Sequence, residues 1–466
     1  MKWIFINPTI SAHYFCKIVN YPVKNHFLLT IIRNPQSQKP VINNIITDNP
    51  ISNIIITNNT ITNNVITNRL VTNDIITYIC NIKKIISTGI MEERPFTFGV
   101  AASGDNFTDR EKETSRLLLN FKNGINTILI SPRRWGKTSL VRKVCQLAES
   151  EKLRIVYLDI FSCRSEREFY NMFSEAVIKQ TSSKWEEWIE NAKLFLSRIS
   201  PKFSFGTDPM TDFSMSFDID TKNDDVTEIL NLPERIGEKK KCRIVVCIDE
   251  FQQIAEFDDS KTFQKRLRSM WQLQKSTSYC LFGSKKHLMN ELFEKKSLPF
   301  YKFGDAIYLG KIDTPHWIEY IRERFNATGK SISVELAERI CLWVRNHSSY
   351  VQQLAWLTWI HTKEEATEQD FNDACNDILD QNTPLFEKQT ENLTAYQLNF
   401  IKAMLDGVHK GFTTQEVLQK YRLGSSANVS GIKRALTDKE LIETEGQETF
   451  LQDPVMEIWL KKELSR

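Results

Sequence analysis

The stretch of sequence that decides the fold is Ser131-Pro132-Arg133-Arg134-Trp135-Gly136-Lys137-Thr138-Ser139, directly after the apolar residues 127–130. Gly136 lets the backbone approach a phosphate closely, and the backbone N–H groups of such a turn cradle phosphate at a helix N-terminus. Lys137 brings a positive charge to the β- and γ-phosphate oxygens, and the Thr138 hydroxyl suits Mg²⁺. Ser131 stands where the consensus G-x-x-x-x-G-K-[ST] has its first glycine. The stretch predicts a phosphate-binding loop between a strand and a helix.

A second motif lies at the end of the apolar run 243–250, where Asp249 and Glu250 follow one another. A short apolar run of this kind is typical of a buried parallel strand, and ligands bind at the carboxyl ends of such strands. Asp249 is suited to hold Mg²⁺, and Glu250 to orient and deprotonate an attacking water. The alternative is a core strand that merely ends in acidic residues. The joint occurrence of the two motifs favours a site for ATP and Mg²⁺.

Composition limits the function classes. The chain has 466 residues, which predicts two or three domains, and a net charge of +3, which gives no general case for nucleic acid or a membrane surface. Its nine cysteines form no C-x-x-C pair, so we expect reduced thiols in the cytoplasm rather than a zinc site or a disulfide framework. No apolar run is long enough for a transmembrane helix, and a secretory signal is not expected.

Residues 1–90 differ from the rest because Ile/Val-Thr-Asn recurs every five residues between positions 46 and 77. A fixed period is also typical of a β-solenoid, but the copies here are few. Our preferred interpretation is a translated tandem DNA repeat upstream of the working start at Met91. The alternative is a β-prone extension. We assign this low-complexity segment no function.

Strands alternate with helices over residues 91–310, and this alternation predicts a parallel sheet covered by helices on both faces. The predicted helices are 107–122, 166–181, 226–232 and 263–274, and the predicted strands are 127–130, 154–159, 243–248 and 279–284. The alternating segment 201–220 predicts a hairpin. This part of the chain is the predicted ATPase core.

The remainder of the chain is mostly helical. Helices predicted at 315–325, 334–346, 350–362 and 368–381 form an α-helical lid over residues 311–390. Residues 391–466 then show helices at 395–405, 414–421 and 429–439, followed by two short extended segments. That order predicts a C-terminal winged helix-turn-helix.

These motifs together resemble the archaeal-type P-loop ATPases of the AAA/STAND group, which are also common in bacteria. The family has a Phe-x-x-Arg-x-x-Glu box before its loop, matched by Phe107, Arg110 and Glu113. Its loop reads Pro-Arg-Arg-x-Gly-Lys-Thr-Ser, as residues 132–139 do, and Asp-Glu-Phe-Gln follows its acidic strand, as at 249–252. The resemblance covers about residues 96–460.

The resemblance implies roles for further residues. The box places Phe107 and Arg110 near the nucleotide base, and the loop residues 131–139 around the phosphates. Ser284, after Gly283, matches the sensor 1 position, where it would orient water or sense the γ-phosphate; alternatively it is a serine that ends a strand. The arginines of the loop reach phosphates or a neighbouring protomer, or they pair locally. Trp135 contacts the base or packs, and Gln252 helps to position water.

Two segments depart from the family pattern. The chain has Tyr301-Lys302-Phe303 where the family often has Tyr-Gly-Arg, so no arginine finger is predicted there. It has Asn346-His347-Ser348 where STAND proteins have Gly-x-Pro in the helical lid. His347 then either approaches the nucleotide or is a structural histidine.

The winged helix has two interpretations. Ser426, Asn428, Lys433 and Arg434 would face DNA, but glutamates at 440, 443, 445 and 448 surround the wing. DNA affinity depends on the phosphates that a protein neutralises, and this domain is about neutral. We therefore expect a module for interdomain or protein contacts, with DNA binding as the alternative.

The sequence thus predicts a cytoplasmic ATPase that acts as a nucleotide-driven switch, with ATP and Mg²⁺ as cofactors. Lys137, Glu250 and Ser284 are its candidate catalytic residues, and Thr138 and Asp249 its candidate metal ligands. We expect an unidentified protein partner, no membrane contact, and a homo-oligomer as one option. The alternatives are an ATP-gated DNA-binding regulator with little turnover and a scaffold with structural ATP.

Overall fold

The computed structural model of the protein describes residues 95–100, 107–182 and 225–464. Elsewhere it describes short strands within residues 2–57 and 202–216, and the positions Glu187, Glu190, Asn191 and Leu194. The chain divides into two compact units, residues 1–92 and 93–466. The second unit contains both predicted nucleotide motifs.

The first unit contains an antiparallel sheet in which each strand pairs with the next along the chain. Its strands are β1 (Lys2–Ile4), β2 (Tyr14–Asn20), β3 (Phe27–Arg33), β4 (Asn44–Thr47) and β5 (Ile54–Thr57). Isoleucine and threonine dominate β4 and β5, and β-branched residues favour extended backbone. The predicted β-prone character is confirmed for these strands, whereas the repeat beyond residue 57 lies outside the described residues.

The second unit is built on a five-stranded parallel sheet in the order β12-β6-β11-β10-β7. These strands are β6 (Thr127–Ile130), β7 (Leu153–Asp159), β10 (Arg243–Asp249), β11 (Thr277–Gly283) and β12 (Asp305–Tyr308). The register sets Asp249 level with Asp159, and Gly283 level with Ile130. The carboxyl ends of the central strands therefore meet at one edge, which is where the two motifs begin.

Helices cover both faces of this sheet, as the apolar character of its strands predicts. One face packs on α1 (Glu111–Asn123) and α2 (Lys137–Ala148). The other face packs on α3 (Glu166–Thr181), α4 (Asp225–Leu230), α5 (Leu232–Lys240), a 3-10 helix (Phe251–Glu256), α6 (Ser260–Trp271) and α7 (Lys286–Glu294). The predicted α/β fold class with helices on both faces is confirmed.

The predicted hairpin is also present. Strands β8 (Lys202–Ser204) and β9 (Ser214–Ser216) pair antiparallel between α3 and α4. The prediction for residues 226–232 found one helix where the structure has two, because α5 begins at Leu232 with Pro233 in its first turn. Proline is favoured at that position, since its missing N–H has no partner in a first turn anyway.

The rest of the unit is helical apart from one hairpin. The lid contains α8 (Thr314–Ala327), α9 (Val334–Trp343), α10 (Ser348–His361) and α11 (Glu368–Glu391). The winged helix contains α12 (Ala395–Leu405), α13 (Gln415–Lys420), α14 (Ser426–Asp438), the hairpin β13 (Ile442–Glu445) and β14 (Glu448–Leu451), and α15 (Pro454–Leu464). Lid and winged helix share one hydrophobic core, separate from the cores on the two faces of the sheet.

Helix α11 is longer than predicted and crosses from the lid into the winged helix. The prediction ended it at Gln381, three residues before Pro384, a residue type that breaks most helices. The helix continues to Glu391 with Pro384 inside it. Phe386, on the continued part, is fully buried, and its ring centroid lies 5.7 Å from that of Trp459 in α15. Burial of this aromatic pair compensates for the stability lost with the backbone hydrogen bond that Pro384 cannot donate.

Among the helices that the structure describes, none is both long and apolar enough to cross a lipid bilayer.

Candidate functional site

The loop between β6 and α2 turns through two residues in the left-handed region, Arg134 at φ 62° and Gly136 at φ 90°. Gly136 occupies the N-cap position of α2 and brings no side chain to cap the helix. The N-cap residue thus supplies no side-chain acceptor to the first N–H groups of α2, and a helix N-terminus of this kind attracts anions. The local backbone therefore has the form expected of a phosphate-binding loop.

Lys137 is buried, and its ammonium group lies against the start of the same loop. Its Nζ donates to the carbonyl oxygens of Pro132 at 2.7 Å and of Ser131 at 3.0 Å, and lies 3.3 Å from the Ser131 hydroxyl. Burial lowers the pKa of Lys137 to about 8, although the carboxylates of Glu250 and Asp249 act in the opposite direction. Ser131, where a glycine is usual, thus contributes its side chain to the lysine contact.

Asp249, at the end of β10, is held by donors from three parts of the chain. Its Oδ2 accepts from the Thr138 hydroxyl at 3.0 Å and from the Tyr157 hydroxyl at 2.8 Å, and its Oδ1 accepts from the N–H of Glu250 at 2.9 Å. Burial raises its pKa, and the hydrogen bond from Tyr157 acts against that rise. The two predicted metal ligands therefore lie in direct contact. Tyr157, on β7, was missed by the sequence analysis.

The donor set fits Mg²⁺. Thr138 and Asp249 offer a hydroxyl and a carboxylate oxygen, and Mg²⁺ is commonly bound through one or two such protein oxygens together with phosphate oxygens and water. Over the described ranges, no cluster of three or more His, Cys, Asp or Glu side chains has the arrangement of an all-protein metal cage. An ion here would thus depend on the nucleotide for part of its coordination.

Glu250 is the second acidic residue, and its Oε2 is surrounded by donors. It accepts from the Gln252 amide at 2.5 Å, and from the Ser284 hydroxyl at 2.8 Å and the Ser284 N–H at 3.2 Å. Gly283 makes this possible, because a Cβ at that position would overlap the Gln252 side chain. The structure therefore brings together Glu250 with both residues that were predicted to handle water.

The two arginines of the loop point to different neighbours. Arg133 Nε lies 3.2 Å from the Ser284 hydroxyl and 3.4 Å from an oxygen of Glu440, which follows α14 in the winged helix. Arg134 lies close enough to the buried pair Tyr350 and Asp453 to affect the pKa of both groups. The sequence analysis left local pairing open for these arginines, and it did not identify the partners.

The Phe-x-x-Arg-x-x-Glu box connects the phosphate-binding loop to the chain segment that leads into the lid. The guanidinium of Arg110 donates to the carbonyls of Gly310 at 2.6 Å and Trp135 at 3.3 Å, and pairs with Glu113 at 3.3 Å. Arg110 is buried, and its backbone adopts a left-handed conformation at φ 73°. Phe107 lies under the Lys143 ammonium group, 3.9 Å from the ring centroid. In this structure Arg110 therefore connects the loop to Gly310, which directly precedes the lid.

His347 lies at the N-terminus of α10, where its ring centroid is 4.8 Å from that of Tyr350. Its Nδ1 is buried without a hydrogen-bond partner. Burial, together with the charges of Arg134 and Lys311, lowers its pKa to about 4. The imidazole is thus neutral near pH 7 and faces the side of the lid that meets the loop arginines.

Comparison with protein families gives two matches. Residues 107–344, just over half of the chain, match the family described as an ATPase domain predominantly from Archaea. Residues 384–462 match a winged helix domain. No curated protein sequence shows significant similarity to the chain.

Solved structures of archaeal proteins are among the structural matches. A Walker-type ATPase of Pyrococcus abyssi superposes with a TM-score of 0.57 at 16% identity, over 79% of this chain and 99% of that one. The ORC2 protein of Aeropyrum pernix, in complexes with ADPNP and ADP, gives 0.48 at 12% identity, over 80% and 99%. The ORC1 protein of the same organism, in complex with DNA, gives 0.42 at 14% identity, over 78% and 94%.

The family match spans the phosphate-binding loop, the acidic strand and the serine that lies between Arg133 and Glu250. The chain belongs to the family of ATPase domains found predominantly in Archaea.

Proposed function

We propose that the protein is a cytoplasmic, Mg²⁺-dependent ATPase that acts as a nucleotide-driven switch of the AAA/STAND type. The observation that carries this proposal is the contact between Thr138 and Asp249, which joins the two sequence motifs at one end of the sheet. A pure nucleotide-binding scaffold has no need of a second carboxylate, yet Glu250 lies beside the pair.

Each residue has a task in hydrolysis. The phosphates would lie along the N-terminus of α2, where Lys137 neutralises β- and γ-phosphate charge. Thr138 and Asp249 would hold Mg²⁺, which supplies further neutralisation of phosphate charge. Glu250 would orient a water molecule and accept its proton as the water oxygen bonds to the γ-phosphorus and the bond to the β-phosphate oxygen breaks.

Ser284 and Gln252 determine whether Glu250 is available for this task. Both now donate to the Oε2 that would accept the proton, so that oxygen must exchange at least one donor for the water. Ser284 contacts the phosphate-binding loop through Arg133, whose Nε donates to its hydroxyl at 3.2 Å. We assign Ser284 the role of coupling the phosphate to the base.

The switch would act through the lid. Arg110 connects the loop carbonyl of Trp135 to that of Gly310, at the entrance to the lid, so a change in loop conformation reaches the helices directly. Nucleotide-dependent ordering of such a contact is a common way to move a domain. Oligomerisation, with an arginine finger from another protomer, remains part of the proposal, as does an unidentified protein partner.

DNA binding is the alternative that the sequence left open. On α14, the Lys433 ammonium group lies 4.8 Å from the centre of the Phe412 ring and is partly buried there, where burial lowers its pKa. Arg434 is exposed on the same helix. Since one of the two cations packs within the domain, the geometry favours the switch over the DNA-binding regulator.

The test is ATP turnover with separate measurement of nucleotide binding. Glu250→Gln should bind ATP but hydrolyse it roughly 100-fold to 10,000-fold more slowly, as expected for loss of a general base. Lys137→Ala should lose binding as well, because the phosphate charge is no longer neutralised. Lys122→Ala, on the exposed last turn of α1, is the matched control. Equal turnover in all four proteins would refute the proposal.

A further inference from the structure

The surface of the winged helix that meets the nucleotide site is acidic. Glu440 pairs with Arg133 of the loop at 3.4 Å. On the adjoining hairpin, Glu443 and Glu445 lie 4.0 Å and 3.7 Å from the ammonium group of Lys286, two residues after Ser284. Glu440, Glu443 and Glu445 thus lie beside cations at the rim of the proposed ATP site, whereas Glu448 is exposed to solvent.

Glu440 occupies a position at which a glutamate lowers the stability of the winged helix. It follows the end of α14 with φ at 56°, a left-handed conformation that usually belongs to glycine at the end of a helix. A carboxylate at a helix C-terminus is also unfavourable, because that end carries partial negative charge. Its Oε1 is buried without a hydrogen bond. The contact with Arg133 is the feature that accounts for a glutamate in this place.

The contact with Arg133 continues into the catalytic residues. Arg133 lies between Glu440 and the Ser284 hydroxyl, and that hydroxyl donates to Oε2 of Glu250. The charge of Glu440 also reaches Lys137, where it acts to raise the pKa of the ammonium group. A single side chain of the winged helix is therefore connected to the base, the sensor serine and the phosphate-binding lysine.

We infer that Glu440 is a positioning residue of the nucleotide site, which holds Arg133 by standing in for phosphate. An incoming ATP molecule would bring negative charge to the same arginine, so the nucleotide and the Glu440 carboxylate compete for it. Displacement of Glu440 would free Arg133 to contact the phosphates. Arg133 would then no longer donate to the Ser284 hydroxyl, which in turn donates to Glu250. This inference rests on the proposed function and specifies which contact between winged helix and loop ATP must break.

The expected change in ATP affinity depends on how far the side chains of Arg133 and Glu440 are exposed to solvent. The Arg133 side chain is 47% exposed and that of Glu440 is 23% exposed, so solvent weakens the pair. Removal of the Glu440 charge should tighten ATP binding about threefold to tenfold, as expected for one partly exposed charge-assisted contact. The variant is expected to fold, since Glu440→Gln keeps the backbone and most of the volume of the side chain.

The first experiment measures the dissociation constant of a fluorescent ATP analogue with Mg²⁺ for the full chain. Glu440→Gln should bind about threefold to tenfold more tightly than wild type. Glu440→Asp, which keeps the charge, should lie near wild type. Glu448→Gln is the matched control, because it removes the same charge from an exposed position of the adjoining hairpin. An unchanged or weaker affinity for Glu440→Gln would overturn the inference.

A second readout separates competition from a general electrostatic effect. Carboxylates can be labelled with a carbodiimide and a neutral amine and then quantified by mass spectrometry. A non-hydrolysable ATP analogue should increase labelling of Glu440 relative to Glu448, because the nucleotide displaces Glu440 from Arg133. Unchanged or reduced labelling of Glu440 at saturating nucleotide would overturn the inference while leaving the ATPase proposal intact. Absence of nucleotide binding in wild type and every variant would instead overturn the proposed function, and with it this inference.

Discussion

His347 makes the stability of the lid depend on pH in a way that a single substitution should abolish. Its side chain is only 9% exposed and its Nδ1 has no hydrogen-bond partner. Arg134 and Lys311 are the charged groups that face it, and the ring of Tyr350 packs against it. Burial and the two cations lower its pKa from 6.5 to about 4.

The change in the free energy of unfolding follows from the pKa values of His347 in the unfolded and the folded chain. The unfolded chain takes up a proton on this histidine as the pH falls through 6.5, whereas the folded chain takes it up only near 4. Proton uptake by the unfolded state thus lowers the free energy of unfolding as the pH falls, and the loss is complete below 4. It amounts to about 2 kcal/mol at pH 5 and about 3 kcal/mol below pH 4, at 1.36 kcal/mol per pKa unit. Above pH 7 the contribution vanishes.

The test compares wild type with His347→Phe, which keeps a ring beside Tyr350 and removes the titrating group. Urea unfolding at pH 7.5 should give similar free energies of unfolding for the two proteins. At pH 5 the variant should be more stable than wild type by about 2 kcal/mol. His316→Gln is the control, because the His316 side chain is 52% exposed.

Two results would refute this reasoning. One is a difference between wild type and His347→Phe that is the same at pH 7.5 and pH 5. The other is an NMR titration of the His347 ring with a midpoint between 6 and 7, since burial would then not disfavour the charged imidazole.

Three further substitutions test the packing of the sheet and the site. Tyr157→Phe removes a donor to Asp249 and should cost about 1 kcal/mol of unfolding free energy in urea, together with a lower turnover number. Gly304→Ala should cost about 1–3 kcal/mol in the same assay, because its Cβ would overlap the Asn126 carbonyl oxygen. Trp271→Ala should cost about 3–5 kcal/mol, since this indole is fully buried on α6. Wild-type stability in any of the three variants would contradict the packing described for that position.

The central sheet and its nucleotide motifs were predictable because their signals are local. Apolar runs ended in the loop and in Asp249, and parallel strands bring their carboxyl ends to one edge, so the meeting of Thr138 and Asp249 follows from the topology. The winged helix followed from the order of its helices and its hairpin. In each case the pattern within a short window was enough to predict the structure.

The contacts that were not predicted from the sequence join residues whose neighbouring sequence gives no indication of their partners. Tyr157 looked like any partly buried strand residue, and only the pairing of β7 with β10 brings its hydroxyl to Asp249. Glu440 was read as part of an acidic wing that disfavours DNA, but its partner lies in the loop far away in sequence. Helix α11 runs through Pro384 because Phe386 is buried against α15, a tertiary gain that helix propensity does not contain.

The shared core of the lid and winged helix has a mechanical consequence. Leu309 packs in the core under the sheet and Ile312 in the core of the helical part, so the chain passes from one body to the other within a few residues. A rotation at this pivot would carry all the helices beyond it together. The 24 residues of α11 form a lever about 36 Å long, so a turn of about 10° would sweep its far end through about 6 Å. A displacement of atomic size at the phosphates would thus become a movement large enough for a partner protein to sense.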